Sequence, residues 1–390
     1  MTGSAPPPAL VIGDMDLVRP LGLQGIPCIA AGPTRQETRW SRYTIDGVDL
    51  PDLWNEPEDV IDVLVAYGET CDTRPVIVYQ KDPAVLALSR RRTAIESLYR
   101  IVLPDPETVE DLVDKRRFQT RSDALELPVP RAIFVRPMDG FPEDASDMRF
   151  PLVAKPVLRN QTETAWAPVA KGAKALMCAT PDDLRRLWDR AEISDVTLAL
   201  QEYIAGDETQ IVSYHAFLLE DQTTIGEFTG RKIRTLPREF GQSTAVEITD
   251  DGEARDLGRA VLQAFDFTGV AKVDMKRGED GRLHVLEVNP RFNLWHHPGA
   301  HAGVNIPAAV YRYLVHGDTR PLPAATPGAS WIQVWGDARA ARERGMSRIS
   351  WLNSVRRADT RRAAHLDDPG SMLGALAWGM TLRRTQRAHH

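Results

Sequence analysis

The segment Val270-Ala-Lys-Val-Asp-Met-Lys-Arg-Gly-Glu-Asp-Gly-Arg-Leu-His-Val-Leu-Glu-Val-Asn-Pro-Arg291 constrains the fold more than any other part of the chain. Two runs rich in β-branched residues flank Asp280-Gly281, a dipeptide that favours a two-residue type I′ hairpin turn. That turn sets Glu279 opposite Arg282, so the numbers of facing residues sum to 561. Asp274 then faces Glu287, and Lys272 faces Asn289. Alternation along a strand puts Lys272, Asp274, Glu287, Asn289 and Arg291 on one face. Facing side chains lie about 5 Å apart, and two carboxylates at that distance destabilise a sheet unless a cation neutralises them. A divalent cation answers that need, and Mg²⁺ takes such carboxylate sites when phosphates complete its shell. The run Glu287-Val-Asn-Pro-Arg291 adds an amide oxygen and a planar guanidinium fork, a set suited to one metal and one phosphate. The other face (Ala271, Val273, Met275, Leu286, Val288) is apolar, as a sheet packed on a core requires. The alternative is a hairpin with a solvated, charged face on which Lys272 pairs with Asp274.

At 390 residues the chain exceeds one typical domain, and two or three lobes are expected. A net charge of −6 argues against nucleic acid as a partner. Three scattered cysteines, Cys28, Cys71 and Cys178, show no ligand spacing and point to a reducing, cytoplasmic setting without a disulfide framework. Residues 1–9 read as a disordered lead-in rather than a signal peptide. No apolar run reaches the roughly 20 residues of a spanning helix.

Residues 10–105 alternate short apolar strands with helices: Leu10–Gly13, a helix near Asp14–Gln24, Pro27–Gly32, a helix at Pro57–Tyr67, and Pro75–Gln80. This pattern predicts a parallel sheet covered by helices, a Rossmann-like α/β domain. Gly-x-Gly-x-x-Gly is absent, which argues against hydride transfer. Pro106–Ala124 reads as one helix carrying Lys115. Strands follow at Arg131–Val135, Pro151–Pro156 and Lys174–Cys178, with a helix from Thr180 to Ala191. Further strands are expected at Thr197–Ile204, Gln210–Leu219, Thr224–Arg234 and Thr244–Ile248, and helices at Gly252–Phe265 and Ile306–Val315. The tail from about Asp318 has scattered arginines and few strand signals.

Three further pieces invite chemistry. Lys155 ends a short β-run, where a lysine meets a phosphate in a cleft or simply faces solvent. Gln201-Glu-Tyr-Ile-Ala-Gly-Asp-Glu208 predicts a strand that leaves its sheet at Tyr203-Ile204, turns at Gly206 and re-enters at Thr209. Its backbone suits an adenine edge and Glu208 suits ribose hydroxyls; an ordinary acidic turn is the alternative. Arg231 and Lys232 point to opposite faces of a strand, so at most one of them meets a given anion.

Together these pieces resemble the ATP-grasp superfamily over roughly residues 10–315. Within it, Thr229-Gly-Arg-Lys-Ile-Arg-Thr-Leu-Pro with Gly241, Asn289-Pro-Arg-Phe with Ala302-Gly-Val-Asn-Ile-Pro307, and Arg39-Trp-Ser-Arg-Tyr43 look like the carboxylate–amine ligases of the D-aspartate ligase-like branch. The resemblance implies an N-terminal pre-ATP-grasp domain over 10–105 and a two-lobed fold with antiparallel sheets, the small lobe at 106–205 and the large lobe with its Mg²⁺ site at 206–318. An Arg-rich extension then occupies 319–390. It also implies that Lys115 and Lys155 hold ATP phosphates, that Glu202, Tyr203 and Ile204 line the adenine pocket, and that Glu208 binds ribose. Asp274, Glu287 and Asn289 would ligate Mg²⁺, with Mn²⁺ as a substitute. Arg291 and Arg231 would stabilise the transferred phosphoryl group, while Lys272 would bind an anion or partner Glu287. Asn160–Lys174 departs from the glycine-rich phosphate loop of many relatives by carrying one glycine, Gly172.

The expected activity is ADP-forming ligation of a carboxylic acid to an amine through an acyl phosphate, with an amino acid as one small-molecule substrate. ATP-dependent carboxylation, or nucleotide binding without turnover, are the rivals. His296 and His297 are substrate-side or structural groups. The arginines of the tail, from Arg339 to Arg387, suit either packing on the catalytic lobes or a membrane surface or carrier-bound substrate. A homodimer is among the assemblies left open.

Overall fold

The structure is a computed structural model that describes residues 6–34, 36–157, 166–170, 175–191, 196–362 and 367–375. The chain opens with β1 (Ala9–Ile12), α1 (Met15–Gly22), β2 (Cys28–Gly32), β3 (Thr44–Asp49), α2 (Pro57–Glu69), β4 (Val76–Tyr79), α3 (Asp82–Arg90) and α4 (Arg92–Leu98). These strands form the expected parallel sheet, in the order β3-β2-β1-β4. β1, β2 and β4 are buried along their whole length, as near-continuous apolar runs between two helical layers should be. β3 escaped the sequence reading because Thr-Ile-Asp-Gly-Val-Asp is an edge strand with two acids and little burial.

The single helix expected over Pro106–Ala124 is two: α5 (Pro106–Val113) and α6 (Lys115–Ala124). Asp114 between them is extended, and its carboxylate caps α6 by accepting from the Arg116 and Arg117 amides. The small lobe comprises β5 (Ala132–Val135), β6 (Leu152–Pro156), α7 (Ala167–Ala170), β7 (Leu176–Cys178), α8 (Pro181–Ala191) and β8 (Leu198–Glu202). Its antiparallel sheet runs β5-β8-β6-β7 over a core that includes Trp166, Leu184, Leu187 and Leu198. Most of the Asn160–Lys174 stretch lies outside the described residues.

After β8 the chain does not return to the same sheet, contrary to expectation. It passes Gly206, whose φ of 117° suits glycine, makes one 3-10 turn at Glu208–Gln210 and enters the other lobe. That lobe contains β9 (Ile211–Leu218), β10 (Thr224–Leu236), β11 (Gln242–Thr249), α9 (Gly252–Ala264), β12 (Gly269–Arg277), β13 (Leu283–Asn289), α10 (His296–His301) and α11 (Ile306–His316). The extension adds β14 (Ser330–Gln333), α12 (Val334–Glu343), α13 (Arg348–Arg357) and β15 (Thr360–Arg362). Among the described residues the large sheet has seven strands, in the order β13-β12-β9-β10-β11-β14-β15. α9 covers part of one face, and the other merges with the first domain's core through Phe228, Phe292, Trp295 and Val18.

Two features differ from the sequence reading here. The β12–β13 connection is not a two-residue I′ turn. Gly278 donates to the Arg282 carbonyl across a longer loop in which Gly281 has φ 81°. Arg277 therefore faces Leu283, one residue off the expected register, until an irregularity after Asp274 restores it. Leu286, expected on the apolar face, lines the cleft instead. The tail, expected to be poor in strands, contributes two. Arg362 binds Asp14 and Glu37 of the first domain, and Arg344 binds Glu208. Arg339, Arg342, Arg348, Arg356 and Arg357 remain exposed; Arg383, Arg384 and Arg387 lie outside the described residues. No helix among the described residues is long and apolar enough to cross a membrane.

Candidate active site

A cavity of about 590 Å³ separates the lobes, roofed by Val153, Lys155 and Gln201–Ile204 and floored by Lys232, Asp274, Lys276, Leu286 and Glu287. A second cavity of about 310 Å³ shares Lys155, Gln201, Leu286 and Glu287 with it and extends to Asn289, Arg291 and Asp82. The two form one elongated cleft, with the chain crossing after β8 at one end and the hairpin at the other.

The chain crossing after β8 forms the first end, where Tyr203 and Ile204 stand among charged side chains. The Glu202 and Tyr203 amides donate to the carbonyls of Arg131 and Pro151, and the Glu202 carboxylate accepts from the Arg149 amide at 3.0 Å. No described residue accepts from the Ile204 N–H, which leaves a backbone donor at the cavity wall. Lys276 sits with its ammonium 4.5 Å from the Tyr203 ring centroid. Burial pushes the Lys276 amine below the usual lysine range, while Asp207, Glu239 and Glu208 pull it back up. Glu208 is buried at the same end.

In the middle, Lys155 extends from β6 and donates to Gln201 Oε1 at 3.0 Å. Burial lowers its pKa, partly offset by Glu287. Lys115, the first residue of α6, donates to the Pro156 and Val157 carbonyls at 2.8 and 3.0 Å and lines both cavities.

The hairpin supplies the far end. Asp274 faces Glu287 and Lys272 faces Asn289, the pairing expected from sequence. It emerges from a different turn because the shift at the loop and the shift after Asp274 cancel. Lys272 Nζ lies 2.5 Å from Asp274 Oδ2, and Asn289 Nδ2 donates to Glu287 Oε1 at 3.1 Å. Burial pushes the Asp274 carboxyl up, against the opposing pull of Lys272 and Lys232. Burial also acts to raise Glu287, but Lys272, the hydrogen bond from Asn289 and the charge of Lys155 outweigh it and hold Glu287 below the carboxylate range. Asp274 Oδ1 is buried and has no hydrogen-bond partner. A buried carboxylate oxygen without a partner is costly unless a cation meets it. Two carboxylates and an amide form an incomplete hard-oxygen shell, and no group of three His, Cys, Asp or Glu among the described residues is placed to hold a metal ion by itself. That donor set fits Mg²⁺ completed by phosphate oxygens, not a self-sufficient metal cage.

Arg291 is held at the end of this row. It donates to Asp82 at the start of α3 and, at 2.9 Å, to Asn289 Oδ1. The sequence candidates Lys115, Lys155, Glu202, Tyr203, Ile204, Glu208, Asp274, Glu287, Asn289 and Arg291 all line the cleft. Lys272 reaches it through Asp274. Arg231 does not: it lies on the outer face of β10, half exposed and paired with Glu247 at 2.8 Å. Its neighbour Lys232 takes the cleft position, where burial lowers its pKa and Asp274 and Glu287 raise it. Lys276 also went unremarked, although its place two residues beyond Asp274 puts it on the same face. His296 and His297 line neither cavity; His296 packs on Phe292 and Phe228, and His297 Nδ1 lies 3.0 Å from Asp16 Oδ1.

Residues 223–334 match a family model described as "ATP-grasp in the biosynthetic pathway with Ter operon". No curated protein matches the sequence. Solved structures share the fold at low identity. Staphylococcus aureus N5-carboxyaminoimidazole synthetase is 14% identical with a TM-score of 0.62, covering 87% of this chain and 85% of that one. Bacillus licheniformis L-amino acid ligase is 13% identical with a TM-score of 0.59, over 82% and 78%. Campylobacter jejuni biotin carboxylase is 12% identical with a TM-score of 0.60, over 83% and 74%. The chain therefore has the ATP-grasp fold, with its cleft between the two lobes.

Proposed function

We propose that this chain is an ATP-dependent, ADP-forming carboxylate–amine ligase that uses an amino acid as one substrate. The observation that carries the reading is Asp274 facing Glu287, with Asp274 Oδ1 unpartnered. That pair sits beside Lys155 and Lys232 in a cleft whose other end is the Tyr203–Ile204 crossing.

A carboxylate does not condense with an amine at neutral pH, because oxide is too poor a leaving group. In the proposed reaction an oxygen of the acid attacks the γ-phosphorus of ATP, and the bond to ADP breaks. The amine then attacks the acyl carbon, phosphate leaves, and the amine nitrogen gives up a proton. Positioning and charge neutralisation are the protein's main contributions. Tyr203, Ile204 and Glu202 frame the adenine, and Glu208 meets the ribose. Lys115 and Lys155 hold phosphate oxygens. Arg291, with Lys272 and with Lys232 in place of Arg231, faces the charge that develops on the transferred phosphoryl group. Asp274, Glu287 and Asn289 would hold Mg²⁺ or Mn²⁺, which when bound supplies further neutralisation of phosphate charge.

The test is a screen of amino acids and small acids for ADP release, with mass spectrometry of the products. ADP formation that needs both an acid and an amine is expected; release of AMP and pyrophosphate would reject the reading. The likeness to proteins named as a biotin carboxylase and a carboxyaminoimidazole synthetase favours a second reading, transfer of a bicarbonate-derived carboxyl group. Bicarbonate dependence without any other acid decides for it.

A further inference from the structure

The C-terminal extension touches the cleft's nucleotide end through one side chain. α12 is fastened to β10 by a buried ion pair in which Arg234 donates to both oxygens of Asp337 at 2.8 and 2.7 Å. Thr244 and Trp351 donate to the same carboxylate, so the helix is fixed against the sheet. Its C-terminal end delivers Arg344, whose Nε lies 2.8 Å from Glu208 Oε1. Arg344 Nη2 donates to the same oxygen, and Nη1 to the Thr235 carbonyl at 3.1 Å. Among the described residues, the ion pair of Glu208 Oε2 is with Arg238 Nε at 3.9 Å, beyond hydrogen-bond reach. One oxygen is saturated by a guanidinium fork, and the other is left to accept from the cavity.

We propose that Arg344 is a positioning residue for the sugar of the bound nucleotide, so that the extension forms part of the nucleotide site. The proposal rests on the reading of the cleft as a nucleotide site. Glu208 stands at the head of a single 3-10 turn, a short element that does little to fix its carboxylate. Clamping Oε1 aims Oε2 at a vicinal diol. Without the clamp the carboxylate is free to swing to Arg238, and the diol loses its acceptor.

Calorimetry on the full chain, with Mg²⁺-ATP and Mg²⁺-2′,3′-dideoxy-ATP, tests this. The wild type should prefer ATP by roughly tenfold or more, the worth of a hydrogen bond to a charged group. Arg344→Ala should erase the preference, with affinity for the dideoxy nucleotide unchanged. If that variant does not fold, Arg344→Lys, which keeps the charge but not the fork, should show an intermediate ratio. A wild-type ratio in a folded Arg344 variant overturns the proposal and leaves the nucleotide site standing. Equal binding of both nucleotides by the wild type removes the sugar role of Glu208, and the proposal with it. Failure of the wild type to bind either nucleotide overturns the underlying reading as well.

Discussion

Replacing Lys232 by Met and, separately, Arg231 by Ala probes two adjacent cations that the structure places on opposite faces of one strand. Arg231 is 48% exposed and its partner Glu247 29% exposed, so their pair is a surface salt bridge worth about 0–1 kcal/mol. Arg231→Ala should therefore change stability by less than about 1 kcal/mol and turnover by less than about twofold. Lys232 lines the cleft and is close enough to Asp274 and Glu287 for both to perturb it. Removing one preorganised charge that faces a developing anion costs on the order of 10²–10³ in kcat, or about 2.7–4 kcal/mol of barrier. Burial already disfavours the charged form of this lysine, so Met should be tolerated in the fold. The assay is steady-state ADP release at saturating ATP for the ligase substrates, alongside urea unfolding. A folded Lys232→Met enzyme within fivefold of wild type, or a tenfold loss on Arg231→Ala, would refute the geometry.

Two further outcomes follow from buried polar groups. Burial holds the His296 imidazole down at about 3, against an unfolded value near 6.5, so the unfolded state binds the proton first as pH falls. This one group should remove about 2 kcal/mol of stability between pH 7.5 and 5, and His296→Leu should abolish that part of the decline. Urea titrations at both pH values decide it, and parallel losses in the two proteins would contradict a buried neutral histidine. Asp337→Ala strands Arg234 in the interior and should cost about 3–5 kcal/mol. Replacing both residues with Met and Leu should recover most of that, and thermal unfolding within about 1 kcal/mol of wild type for the single variant would count against the buried pair.

Much of this site could be read from residue types and spacing. A period of two placed Lys272, Asp274, Glu287 and Asn289 together, and residues of unlike chemistry two apart left few other arrangements. What escaped depended on contacts distant in sequence or on local departures from regular geometry. Which of Arg231 and Lys232 faces inward is decided by long-range pairing: Ser213 of β9 lies beside both Gly230 and Asp274, so Lys232, two residues on from Gly230, shares the face of Asp274. The break at Asp114 turns on a side-chain cap competing with a continuous helix. Arg344 lies 136 residues from the glutamate it binds, so local sequence held no sign of the pairing. The two extension strands were obscured because Ser-Trp-Ile-Gln and Thr-Arg-Arg are short and lack a clean apolar alternation.

The contacts of β15 also order events during synthesis. Asp14 and Glu37 leave the ribosome long before Arg362, which binds both and follows them by 348 and 325 residues. Asp16, wholly enclosed in the finished protein, waits for the same cation and for the indole N–H of Trp331. A nascent first domain therefore carries three crowded acids without this shared cation until β15 has been made. Its sheet can assemble early, but its final electrostatic state is acquired only when β15 docks, which couples maturation of that domain to arrival of a segment made more than 300 residues later.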